Sequence, residues 1–270
     1  MPWMQGIFLH SALYCGIMTE YVEKSCKDKV IGIVWQHLML LVSLFFLALG
    51  VAVCIRSSLG SSVISSAPYA FTLAGESGLI PAWSLGMYTN ILNVLLVGCQ
   101  MLVLGRRFHP VQLLQLAVGV AFGILIDVSM SLTVFLDYTD ILVRMGLMVA
   151  GATVMALGVA MEIRCASVTM PGEGLPAALS KKTGRPFPTM KIFVDVALVA
   201  TAIVAMLLFF GEWRWNIVGI GTLFAAVYCG IAVKFISRRL TWFDRVLDYR
   251  PGFRRYLFGL ARYLHGRSGE

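Results

Sequence analysis

ALGVAVCIR at 48–56 and ALGVAMEIR at 156–164 share seven of nine residues at an offset of 108, and Pro68 and Pro176 keep that offset. After a slip of six residues the likeness resumes at an offset of 102. There Asn93-Val94 falls on Asp195-Val196, and Gly119 with Phe122 falls on Gly221 with Phe224. The chain is therefore two related halves.

The surroundings of the repeat are apolar. The 270 residues are 59% hydrophobic and 13% charged, with a mean hydropathy of +0.82, too little polar surface for a water-soluble domain. Uncharged stretches of about 17 to 25 residues, the length that crosses a bilayer core, predict helices near 31–55, 84–104, 112–136, 141–163, 190–210 and 215–236. Charge tests that count. With six spans, one side of the membrane keeps 19 of the 22 Lys and Arg, and the other keeps Arg56, Arg144 and Arg214. The positive-inside rule then puts both termini in the cytoplasm. The net charge of +8 reflects this topology and needs no nucleic acid. Six scattered cysteines without a CxxC pair and four dispersed histidines give neither a disulfide framework nor a metal site, and no cofactor is expected.

Four regions follow. Residues 1–30 hold a short apolar stretch at 3–19, read as an interfacial helix with a seventh span as the alternative, and a polar hinge. Residues 31–136 and 141–236 form the two membrane repeats. Residues 237–270 form a basic tail in which Phe253, Tyr256, Leu257, Leu260 and Leu264 make an apolar face between arginines, suited to anionic lipid. Three spans per half force the second copy to enter the membrane from the opposite side. The expected fold is an all-α polytopic membrane protein, six transmembrane helices in two inverted three-helix repeats, each with a broken or re-entrant segment.

The broken segments are SSLGSSVISSAPYAFTLAGESGLIP at 57–81 and CASVTMPGEGLPAALSKKTGRPFP at 165–188. Both are long for a connection and too weakly apolar to span. The second reads as a short helix, with Pro171-Gly172 breaking the chain, Glu173 in the first turn, Lys181 and Lys182 in the last, and Gly184 as C-terminal cap. Two such half-helices would bring backbone N–H groups towards the bilayer midplane. A surface amphipathic helix is the plainer alternative.

Polar groups within spans carry the chemistry, because each is costly in hydrocarbon. Asn93 and Asp195 occupy matching positions of the two halves and, with Glu173, are candidates for substrate binding. Arg56 and Arg164 close the two nonapeptides, where a guanidinium would grip a carboxylate or phosphate with paired hydrogen bonds. Asp127, Asp195 and Glu162 are candidates for carrying a coupling proton. All have an alternative use in joining helices, the use expected of Asn90 and Gln100. GVAFG at 119–123 is a small-residue face suited to helix contact and to a homodimer. GEGLPA at 172–177 has dinucleotide-fingerprint spacing without a preceding strand, SKKTG lacks P-loop glycines, and no nucleophile constellation points to an enzyme.

The ALGVAxxIR phrase, MPGEGL, SKKTG and DVALV together resemble the YitT/YczE-like bacterial integral membrane proteins over about residues 35 to 236. That resemblance implies a two-halved protein of the bacterial inner membrane and carries over no substrate. The expected function is secondary transport of a small anionic or zwitterionic organic solute by alternating access. The competing expectation is a non-transporting scaffold that recruits a partner through its basic tail.

Overall fold

A computed structural model of the chain describes residues 26–108, 110–165 and 170–247. The 3–19 segment and the 253–264 amphipathic stretch lie outside them. The described residues hold no strand and nine α-helices: α1 (Cys26–Arg56), α2 (Val63–Glu76), α3 (Leu85–Leu104), α4 (Leu114–Leu132), α5 (Ile141–Cys165), α6 (Pro171–Thr183), α7 (Phe187–Phe210), α8 (Ile220–Arg239) and α9 (Thr241–Leu247). Six of them, α1, α3, α4, α5, α7 and α8, are long and apolar enough to cross a membrane. Their outer faces are as apolar as their cores, with Leu102 82% and Leu208 78% exposed. Side chains so placed need lipid rather than water around them.

The predicted spans recur in order, with three boundaries shifted by four residues or more. The first begins at Cys26, because no glycine or proline separates the supposed polar hinge at 26–29 from the apolar run, and Lys is a good helix former. The third stops at Leu132, where Thr133 turns its N–H back onto the Ser129 carbonyl at 3.0 Å. The sixth starts at Ile220 rather than 215. Residues before it are held as a turn by the 59–61 loop: Ser61 donates from N and Oγ to the Ile217 carbonyl (3.1 and 2.8 Å), and Gly221 N donates to Leu59 O (2.9 Å).

Both interrupted stretches contain a short helix. In α6, Pro171 opens the first turn, Glu173 lies in it, Lys181 and Lys182 lie in the last, and Gly184 caps the end in the left-handed region (φ 71°), donating to Ser180 O. Its N-terminal part is buried and its C-terminal end exposed. Helix α2 starts after Ser62 and keeps Pro68 inside it.

The core is the crossing of α1 and α5. Gly50 lies so close to α5 that a Cβ there would collide with the Met155 backbone, and Gly158 lies equally close to the backbone of Leu47. Gly50 with Gly158 and Leu47 with Met155 are each 108 residues apart. The contact is therefore reciprocal, as in a two-fold interface. Gly151 against Cys54 continues the series. Each step forward on one helix is a step back on the other, so the two run antiparallel. The remaining packing follows the same exchange: α1 lies on α4 as α5 lies on α8, α2 lies on α7 as α6 lies on α3, and α2 touches α3 as α6 touches α7. The N-terminal turns of α2 and α6 meet where the Ile64 side chain faces Gly172, again residues of matching position.

This crossing generates a test. Gly158→Leu should lower the thermal unfolding midpoint in detergent by the equivalent of about 1–3 kcal/mol, the usual cost of overpacking. Gly98→Ala, where a Cβ meets nothing within 4 Å, should leave the midpoint unchanged or raise it.

Candidate functional site

The buried end of α6 gathers polar groups from five helices. Pro171 fixes the first helical φ, and Met170 before it is extended (φ −62°, ψ 152°), so the helix starts sharply. Gly174 then lets two amides approach. A Cβ there would lie 2.5 Å from Gln115 Oε1 on α4 and 2.8 Å from Gln100 Oε1 on α3. Gln100 is 2% and Gln115 5% exposed, and neither Oε1 has a hydrogen-bond partner.

Three carboxyl groups and one amine complete the cluster. Glu162, near the end of α5, is 7% exposed, with Oε1 unpartnered. Its carboxyl faces the Met170 N–H and lies within electrostatic reach of Glu173 and Lys191. Glu173 in turn feels Lys191 and Asp195. Lys191 Nζ donates to Asp195 Oδ1 at 2.8 Å, a pair one turn apart on α7. Cys229 on α8 borders the group within reach of Lys191 and Glu173. Acceptors outnumber donors here, and the first turn of α6 adds the positive end of a helix dipole. Such a cluster presents carboxyl and amide oxygens suited to a cationic group, and a helix end and Lys191 suited to an anionic one.

The matching positions around α2 carry no such chemistry. Cys54 stands for Glu162, Ser65 for Glu173, Ala202 for Gln100 and Ile217 for Gln115, all buried. Ala202 and Ile217 pack with Ala67 and Ala70 of α2 in a continuous apolar cluster.

Of the residues singled out in the sequence, Glu162, Glu173 and Asp195 come together. Asn93 does not join them: it packs on α4, donating from Nδ2 to Gly119 O at 3.5 Å. With Asn90 against Gly123, it occupies the 119–123 glycine face within a single chain. Asp127 accepts from Ser84 Oγ (2.6 Å) and Gly86 N (2.7 Å), and so adds from α4 to the capping of α3, whose N-cap Ser84 accepts from Met87 N at 3.1 Å. Arg164 is engaged by Asp244 of α9 and by Ser237 O. Arg56 donates from Nη2 to Met130 O at 2.9 Å, and its buried Nε has no partner. Sequence reasoning passed over Lys191, Gln115 and the role of Gln100. The four-residue spacing of Lys191 and Asp195 was the available signal.

The chain belongs to a family of unknown function (DUF6198), whose model matches residues 34–238. Neither a curated protein nor a solved structure matches it.

The capping role of Asp127 has a measurable consequence. Asp127→Ala should destabilise the protein by about 1 kcal/mol, as lost N-terminal caps do, and Asp127→Asn, which keeps an acceptor, by less. Detergent unfolding midpoints check the order. Equal midpoints for all three proteins would remove the cap from the account.

Proposed function

For this member of a family of unknown function, we propose secondary transport of a small zwitterionic solute by alternating access between two inverted repeats. The observation that carries the reading is the buried α6 cluster, whose unpartnered acceptors sit at positions matched around α2 by Cys54, Ala202 and Ile217. The antiparallel, reciprocal crossing of α1 and α5 supports the inversion. The burial of α6 at its N-terminal end and the exposure of Lys181 and Lys182 support a re-entrant segment. Both termini are assigned to the cytoplasm by the charge distribution, in a bacterial inner membrane as the YitT/YczE-like resemblance implies.

In this reading the solute's ammonium group lies among Glu162, Glu173 and the oxygens of Gln100 and Gln115. Glu162 and Glu173 face each other as like charges, and an ammonium group or a proton between them relieves the repulsion. The solute's carboxylate lies against the first turn of α6 and Lys191. Asp195 holds Lys191 in place. Exchange of the ammonium group for a proton between the two glutamates is the coupling step this arrangement offers.

A thermal-shift panel of amino acids, betaines, amines and small carboxylates tests the class. A ligand at about 100 times its Kd adds roughly 2.7 kcal/mol of stability, enough to move a midpoint by several degrees. Zwitterions should shift the wild type and Arg164→Gln, and fail to shift Glu162→Gln and Glu173→Gln. Counterflow of the positive compound in proteoliposomes should follow the same order. Shifts by carboxylates alone, or by no member of the panel, would remove this reading.

A further inference from the structure

Arg56 and Arg164, which end the two nonapeptides, make the same main-chain contact at opposite ends of the molecule. Each donates from Nη2 to a carbonyl two residues before the end of the last long helix of its half. Arg56 reaches Met130 O of α4, and Arg164 reaches Ser237 O of α8. Seven residues beyond each carbonyl stands an aspartate, Asp137 in one half and Asp244 in the other. Thr133 and Leu240, each the residue that follows its helix, are both buried.

There the likeness ends. Asp244 is paired with Arg164. Helix α9, which carries it, buries Phe243 and Leu247 against α1 and α5 beside Cys165 and Met170, and Trp35 Nε1 donates to Val246 O at 3.1 Å. At the other end Arg56 and Asp137 are not in ion-pair contact. They line a cavity of about 190 Å³ together with Tyr69, Leu73 and Glu76. Leu136, which precedes Asp137 as Phe243 precedes Asp244, is only half-buried. Matching residues with matching partners are thus closed at one end and open at the other. The difference lies in their arrangement, since the Arg and Asp types are the same in both halves.

We propose that Arg56–Asp137 and Arg164–Asp244 are the two gates of one alternating-access cycle, and that this structure has the Arg164 end shut and the Arg56 end open. The proposal rests on the inverted-repeat transporter reading. Both arginines sit on the rigidly crossed pair α1 and α5, while their aspartates follow α4 and α8. A movement that brings Asp137 onto Arg56 therefore draws on the same two-fold geometry that separates Asp244 from Arg164. The two pairs compete, and each stabilises the state in which it is formed.

Cysteine accessibility tests this without any solute. Cys165 is buried beside the shut gate, and Leu73→Cys would report the open cavity. Each is placed alone, with the other cysteines replaced by alanine, and labelled with a membrane-impermeant maleimide in vesicles of both orientations. Asp244→Asn should raise labelling of Cys165 and lower labelling at position 73, each about two- to fivefold, the population change a partly exposed pair can supply. Asp137→Asn should leave Cys165 protected and position 73 labelled. The exchange Arg164→Asp with Asp244→Arg should restore protection at Cys165. A rise at Cys165 with no fall at position 73 would overturn the proposal and make α9 a local strap. Should Asp244→Asn merely unfold the protein, both positions label together and the exchanged variant decides, Cys165 labelled there counting against the gate. Failed reciprocity would leave solute binding in the α6 chamber untouched, and failure of every solute would leave the reciprocity measurement standing.

Discussion

Two glycines set the close approach of α1 to α5, and the rest of the architecture is placed by it. Lipid offers helices no hydrophobic drive to associate, so a stable crossing depends on close packing. Gly50 and Gly158 supply that by letting the α1 and α5 backbones meet at Met155 and Leu47. Because the contact is reciprocal, it fixes a local two-fold relation between the halves. Helices α4 and α8 then lie against the crossing on equivalent faces, and α2 and α6 are brought together at Ile64 and Gly172.

One architecture is thus filled twice, with different chemistry. The short helix of the first half packs dry, on Ala202, Ala205, Met206 and Ile217. That of the second half packs on glutamine amides and beside two glutamates. A buried acceptor without a partner costs about 1–3 kcal/mol, and Gln100, Gln115 and Glu162 each carry one. The surroundings of α2 show that the fold does not need them. Their presence is what the proposed solute binding would account for, and this comparison within one chain weighs more than the polarity of the cluster alone.

The number of spans, the two halves and the short helix at 171–183 were legible in the sequence because each rests on a local signal. Uninterrupted apolar length gave the spans, a nonapeptide repeat gave the halves, and Pro171 with Gly184 gave the helix ends. The site was only partly legible. Glu162, Glu173 and Asp195 stood out as charges among apolar residues, but so did Asp127, whose carboxyl caps α3 through Gly86 and Ser84. Spacing along a chain cannot separate those two uses, because the cap's partners lie 41 and 43 residues away. The repeat also misled in one respect. Matching positions suggested that Asn93 and Asp195 share a cavity, whereas Asn93 fills the notch of Gly119 and Asp195 holds Lys191. Symmetry of position does not carry over to function where the neighbouring residues have diverged.

That divergence bears on how a solute would move the protein. A ligand shifts a conformational equilibrium only by its differential affinity for the two states. In this molecule the groups able to supply such a difference surround α6. Helix α2 meets α7 through alanines and other apolar side chains, and its buried Ser65, Ser66 and Thr72 hydroxyls are bonded within its own turns, which leaves a solute little to distinguish. Occupancy would therefore act on one half-helix, with the dry packing of α2 on α7 serving as the abutment against which α6 changes position. Under the proposed transport, one polar cluster beside α6 would let the protein respond to one solute molecule without needing two symmetric sites.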